Sequence, residues 1–76
     1  MPDNSYTASL LKSGVGRVAQ KVVEEAGESA IAAVEGGSER LTSEVADLFY
    51  HTLVLLAATG TSPDDVWREL RLRMNG

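Results

Sequence analysis

Apolar and polar positions divide the chain into four helical runs, and the third sets the problem that the others must solve. From Leu41 to Ala58, LTSEVADLFYHTLVLLAA, the chain is apolar on almost every side, yet it carries Glu44, Asp47 and His51. At about 100° per residue, with Glu44 at zero, Asp47 falls at about 300° and His51 at about 340°, while Leu48 and Leu55 fall at about 40° and 20°. The carboxylates and the imidazole therefore share a face that leucines mark as inward. Between Arg40 and Asp64 no other side chain carries a full charge. A carboxylate buried without a partner is costly, and a metal ion is the obvious partner.

The remaining runs follow from spacing and punctuation. Pro2, Asp3, Asn4 and Ser5 form a turn-like lead-in. Tyr6–Leu11 makes a short helix, which Ser13-Gly14 interrupts. A long helix is predicted from Val15 to Val34. With Arg17 at zero, Val18, Val22, Ala26, Ala19, Ala30 and Val23 fill an arc from about 100° to 240°. Lys21, Glu24, Glu28 and Glu35 lie opposite, and Glu25, at about 80°, lies at the seam. Gly27 costs about 1 kcal/mol relative to alanine inside a helix, which predicts a close helix approach or a bound ligand there. Gly36-Gly37 ends this helix. Ser38 is the expected N-cap of the central helix, with Glu39 in its first turn and Gly60 just past its end. Ser62-Pro63-Asp64-Asp65 starts the last helix, with serine as cap, proline first and two acids near the positive end of the dipole. Val66, Trp67, Leu70 and Met74 give it an apolar spacing.

Composition narrows the class. The 76 residues make a single domain, 1–76, close to the size at which one core becomes marginal. With no cysteine, disulfides and thiolate metal sites are excluded, and a reducing cytoplasm is the expected setting. MPDNSYTA has no hydrophobic run and is not a signal peptide. The central apolar run is broken by Glu44, Asp47 and His51, which makes it a core helix rather than a membrane span. A net charge of −4 argues against a nucleic-acid surface. A helix that is apolar nearly all round needs cover on all sides. So short a chain cannot supply it, so a homodimer is expected to complete the bundle. The fold class is all-α.

Glu25 and Glu28 are three apart, as are Glu44 and Asp47, so each pair shares a helix face. Four oxygen ligands from two antiparallel helices suit Mg²⁺, a hard cation that keeps waters for substrate phosphates. The plainer reading of Glu24, Glu25 and Glu28 is a solvated face with a Lys21–Glu25 pair. That reading fits Glu44 and Asp47 less well, because their face is apolar. His51 is as readily a hydrogen-bonded core histidine as a functional one. Tyr6 and Trp67 read as packing residues rather than base-stacking platforms.

As a whole the pattern is more specific. KVVEEAGE, Lys21 to Glu28, followed across Gly-Gly by EVAD, Glu44 to Asp47, resembles the EExxE…ExxD signature of MazG-type all-α nucleotide pyrophosphohydrolases. Within that superfamily, SYTASLL at Ser5–Leu11, Gly16-Arg17 ahead of KVVEEAGE, SEVADLFYHTLVLLA at Ser43–Ala57 and the ending GTSPDDVWREL resemble the phosphoribosyl-ATP pyrophosphohydrolase family over nearly the whole chain. The resemblance implies a MazG-like helical bundle completed by homodimerisation. It implies Mg²⁺-dependent hydrolysis of 1-(5-phosphoribosyl)-ATP to 1-(5-phosphoribosyl)-AMP and pyrophosphate, the second step of histidine biosynthesis. It also implies Glu25, Glu28, Glu44 and Asp47 as Mg²⁺ ligands, and Glu24 with Glu25 as catalytic carboxylates, Glu24 either supporting the ligands or orienting the water. Lys21, Ser5, Tyr6, Thr7 and His51 are the implied substrate-binding candidates, and phosphoribosyl-AMP cyclohydrolase is an implied functional partner. That family usually carries a further N-terminal helix before SYTA, and this helix is expected to be missing here. Two other readings share the motif: a house-cleaning pyrophosphatase of free (d)NTPs, and a non-enzymatic helical dimerisation module. The SYTA and YH blocks argue against the first, the intact acidic set against the second.

Overall fold

The computed structural model describes residues 4–75 and contains four helices in chain order, α1 Asn4–Ser13, α2 Val15–Glu35, α3 Ser38–Ala58 and α4 Pro63–Asn75. No strand occurs among the described residues. Residues 1–3 of the expected lead-in lie outside them, and Asn4 and Ser5, expected in the lead-in, instead form the first turn of α1, which begins two residues before the predicted Tyr6. The all-α expectation holds, and the helix ends show why.

Gly14 adopts φ 95°, a value open to glycine at little cost, and separates α1 from α2 within one residue. Between α2 and α3 two residues, Gly36 and Gly37, both at positive φ, reverse the chain into an αα-hairpin. At the far end of α3, Gly60 sits at φ 70°. Its N–H donates to the Ala57 carbonyl at 3.2 Å, and the Thr61 N–H donates to that of Leu56 at 2.9 Å. These are the two bonds of a Schellman motif. The Ser62 hydroxyl accepts the Asp64 N–H at 3.1 Å, so Ser62 caps α4 as predicted. One cap differs. Ser38 is the first residue of α3 rather than its cap; Gly37 takes that place with no side-chain bond. Two glycines let the helix begin one residue earlier than a serine cap would allow.

The main packing is α2 against α3, with α1 laid across both. Leu10 of α1, Val18 of α2 and Val54 of α3 form the buried cluster, with Tyr6, Tyr50 and Leu55 against it. The buried side of α2 is rotated from its predicted centre. Val18, Glu25, Ser29 and Ala32 are buried, spanning about 60° to 120° on the Arg17 scale, whereas Val23 is 71% exposed. The apolar arc of α2 is wider than one helix contact, and α1 and α3 cover only one edge of it. Gly27, at about 280° on the same scale, lies beyond that arc on the exposed side: a Cβ there would meet nothing within 4 Å, so the close approach expected at this glycine does not occur within the chain.

Of the 21 residues of α3 only His51 and Val54 are buried, and α4 buries none. Between these two helices runs a groove of about 460 Å³, lined among others by Phe49, Leu53, Leu56, Val66, Trp67 and Leu70. Phe49 is 65% and Trp67 51% exposed. The radius of gyration, 13.9 Å, exceeds the roughly 11 Å of a compact chain of this length. By length and composition α3 could cross a membrane. However, it carries Glu44, Asp47 and His51, which are expensive in hydrocarbon, and His51 is engaged in the fold.

The Schellman bonds generate a stability prediction. Gly60→Ala places a Cβ at positive φ, which costs about 1–2 kcal/mol. The urea midpoint should fall accordingly with an unchanged slope; an unaltered midpoint would show that the α3–α4 corner does not rely on this conformation.

Candidate functional site: an acidic cluster in the α2–α3 hairpin

The hairpin sets residues about ten before its glycine loop beside residues about ten after it, which brings the acidic motif of α2 to that of α3. Carboxylate oxygens of Glu25, Glu28 and Glu44 lie within 4.8 Å of one another. Glu25 is 7% exposed, Glu44 half-buried and Glu28 exposed. Asp47, also half-buried and one turn further along α3, falls outside this group. Three of the four residues expected to act together are thus assembled, and Asp47 is not among them.

The cations are all on one side. Lys21 Nζ stands 3.4 Å from Glu25 and 3.5 Å from Glu24. Glu24 is exposed, 3.9 Å from the Arg17 guanidinium, and accepts a hydrogen bond from Gln20 at 3.1 Å. Glu25 uses one oxygen on Lys21. Its other, Oε2, is buried without a hydrogen-bond partner, and so is the hydroxyl of Ser29 one turn on. Ser29 was not among the candidates named from sequence. Its position at about 120° on the Arg17 scale, beside Glu25 at about 80°, is the signal that could have found it.

These contacts move two titrations. The Glu28 carboxyl is held above its ordinary 4.5 first by the neighbouring Glu25 carboxylate, then by the charge of Glu44, against a smaller opposing pull from Lys21. For Lys21, burial acts to lower the ammonium pKa. Tyr6, Glu25 and Glu24 together outweigh it and leave the group above 10.5, so Lys21 is a permanent positive charge at neutral pH. An all-oxygen cluster, with one buried oxygen unpartnered and a neighbour that binds its proton too tightly, has the donor chemistry of a site for a hard divalent cation.

The other candidates divide. Ser5 is exposed in the first turn of α1. Tyr6 and Thr7 are half-buried and face α3: Tyr6 Oη lies 2.8 Å from His51 Nε2, and Thr7 Oγ1 is hydrogen-bonded to Tyr50 Oη. His51, 4% exposed, donates from Nδ1 to the Asp47 carbonyl at 2.7 Å. A carbonyl only accepts, so the neutral ring carries its proton on Nδ1, and Tyr6 donates to Nε2. Both ring nitrogens are therefore occupied within the fold.

With this arrangement in view, comparison with known proteins is direct. The sequence model described as "Phosphoribosyl-ATP pyrophosphohydrolase" matches residues 1–74. A protein of Metallosphaera sedula named phosphoribosyl-ATP pyrophosphatase is 60% identical over 74 residues, covering 97% of this chain and 80% of its own length. A protein of the same name from Saccharolobus islandicus is 50% identical over 72 residues, covering 95% and 77%. The histidine biosynthesis bifunctional protein HisIE of Bacteroides thetaiotaomicron is 52% identical over 73 residues, 96% of this chain and 36% of that protein. The class is that of an all-α hydrolase of nucleotide phosphoanhydrides. Within it, this chain belongs to the phosphoribosyl-ATP pyrophosphohydrolase family.

The raised Glu28 titration has a definite sign. The folded state binds this proton more tightly than the unfolded chain, so the stability linked to it is present below pH 4.5 and is lost as pH rises through the elevated folded value. Glu28→Gln keeps the side chain neutral throughout. Without metal, its urea midpoint at pH 7 should equal or exceed that of the unchanged protein, and the difference should vanish near pH 4. A variant less stable at pH 7 would mean that the ionised Glu28 is a net stabilising partner.

Proposed function

We propose that the protein hydrolyses 1-(5-phosphoribosyl)-ATP to 1-(5-phosphoribosyl)-AMP and pyrophosphate, the second step of histidine biosynthesis, in the cytoplasm and with Mg²⁺ as cofactor. The observation that carries this reading is the Glu25–Glu28–Glu44 cluster beside Lys21, in a chain of this family. In the reaction the oxygen of a water forms a bond to the α-phosphorus, and the α–β bridging oxygen leaves with pyrophosphate.

Glu25, Glu28 and Glu44 would hold the metal, with Asp47 the fourth ligand one turn along α3. When bound, the cation supplies positive charge against phosphate oxygens and a water of lowered pKa. Glu25 is the fixed member, buried and anchored by Lys21, with Oε2 left over for a ligand. Lys21 offers the phosphates a charge that does not titrate near neutrality. Glu24, exposed one residue before Glu25 and held by Lys21, Arg17 and Gln20, would orient the water or accept its proton. Ser5, in the open first turn of α1, is suited to touch the part of the substrate beyond the phosphates.

Homodimerisation belongs to the same reading. The α3–α4 groove and the extended shape of the chain support a second copy as its occupant. A functional association with the phosphoribosyl-AMP cyclohydrolase is supported by the bifunctional name of the Bacteroides thetaiotaomicron relative.

Two experiments test this. Mg²⁺-dependent release of pyrophosphate from phosphoribosyl-ATP should exceed that from any member of an NTP and dNTP panel. Asp47→Asn should abolish most of it without lowering the metal-free urea midpoint, while Glu39→Gln, an exposed acid in the first turn of α3, leaves both unchanged. Equal turnover of free NTPs would overturn the substrate, and a destabilised but active Asp47→Asn protein the ligand role. For assembly, sedimentation at micromolar concentration should give the mass of two chains. Leu53→Asp, in the groove, should give one; a folded monomer of the unchanged protein would refute the dimer.

A further inference from the structure

Two consecutive residues of α1 are bonded to two consecutive residues of α3, Tyr6 to His51 and Thr7 to Tyr50. The rings interlock as well: His51 meets Tyr6 edge-on at 5.8 Å and Tyr50 edge-on at 5.1 Å, and the two tyrosine rings are 6.2 Å apart. Tyr6 also packs against the buried cluster of Leu10, Val18 and Val54. Leu10, a turn further on, is the one buried side chain of α1 among the described residues. The first turn of α1 is therefore held by side-chain hydrogen bonds as well as by apolar packing.

His51 extends the connection. Its Nδ1–H adds a bond to the Asp47 carbonyl, which as part of α3 already receives a backbone N–H. The chain of bonds thus runs from the α1 hydroxyl, through a ring with almost no access to water, to the turn of α3 that carries the acidic motif. The ring itself is nearly out of reach of water, so its two bonds are not readily exchanged for solvent.

We infer that Tyr6 and His51 are positioning residues rather than substrate ligands. Together with the Thr7–Tyr50 pair they form a two-point latch that fixes the first turn of α1 over the hairpin, with the His51 ring anchored on the Asp47 carbonyl of α3. The latch has two arms with different consequences. The Tyr6 arm sets where Ser5 and its neighbours stand, and so how the substrate is received. The Asp47 arm holds the imidazole in the orientation that receives the Tyr6 hydroxyl. This assignment rests on the proposed phosphoribosyl-ATP reaction for its kinetic part only, because the latch itself can be observed without substrate.

Three variants separate the arms. Tyr6→Phe keeps the ring and removes the hydroxyl. His51→Asn can still donate from its amide to the Asp47 carbonyl but cannot reach Tyr6. His51→Gln can accept from Tyr6 through its longer amide and gives up the Asp47 carbonyl. Hydrogen exchange of the folded protein, read without substrate, should show faster exchange in residues 4–13 for Tyr6→Phe and His51→Asn, with α2 and α3 amides unchanged. Kinetically, both should raise KM for phosphoribosyl-ATP roughly tenfold with kcat within about threefold, because misplacement rather than chemistry is affected. The double variant Tyr6→Phe/His51→Asn should be no worse than either single change, since both break one bond. His51→Gln should restore KM, because it keeps the bond to Tyr6.

Unchanged exchange in α1 for Tyr6→Phe, or faster exchange with KM unaltered, overturns the latch. So do multiplying effects in the double variant, which would mean separate contacts to the substrate. If the unchanged protein does not turn over phosphoribosyl-ATP at all, the proposed reaction fails while the latch stands or falls on the exchange data.

Discussion

The rest of this structure depends on a carboxylate with nowhere comfortable to go. Glu25 is buried between α2 and α3, has one cation, Lys21, on one oxygen, and has two further carboxylates facing the other. An arrangement of this kind works against folding, since like charges are brought together where water screens them least. It persists because the surrounding helices leave no alternative: the glycine pair fixes the hairpin register, and Val18, Ser29 and Ala32 bury the same edge of α2. The surface ion pairs cannot be what offsets it. Arg40–Glu35, Arg68–Asp65 and Arg73–Glu69 are all more than half exposed or close to it, and such pairs contribute about 0–1 kcal/mol each. Stability is given up at the hairpin in return for a concentrated negative site.

Much of the architecture was legible in the sequence because it is written in local chemistry. The break at Ser13-Gly14, the Gly36-Gly37 reversal, Gly60 beyond α3 and the Ser62-Pro63 start of α4 all act within a few residues of where they occur. Each appears where the pattern put it. Ser38 misled because a serine before an acidic turn is a strong cap signal, and the signal cannot report that two glycines allow the helix to start sooner. The pairing of Glu25 and Glu28 with Glu44 was legible for the same reason: three-residue spacing and a two-residue loop leave little freedom.

What could not be read was rotation and tertiary bonding. The α2 arc from Val18 to Val23 is apolar throughout, so periodicity alone could not say which edge meets α3. That Glu25 falls inside and Val23 outside is decided by where α1 and α3 lie. Asp47 stands apart from the other three carboxylates because a side chain's direction depends on its rotamer and not on its spacing. His51 posed two equal alternatives in the sequence. Its partners, Tyr6 and the Asp47 carbonyl, come from a helix 45 residues away and from the backbone, and neither leaves a mark in the residues around it.

The Gly36-Gly37 connection has a kinetic consequence. Two residues join the two longest helices, so the loop that must close before they meet is almost as short as a chain permits, and its entropic cost is small. Contacts between α2 and α3 start beside the glycine pair and can form in succession away from it, whereas those of α1 with α3 span more than forty residues. A chain with this contact order should zip its hairpin first, with α1 settling afterwards. The carboxylates would then crowd together at the earliest stage of folding, before the N-terminal helix arrives. Ionic strength should therefore govern the rate at which the protein folds as well as the stability it reaches.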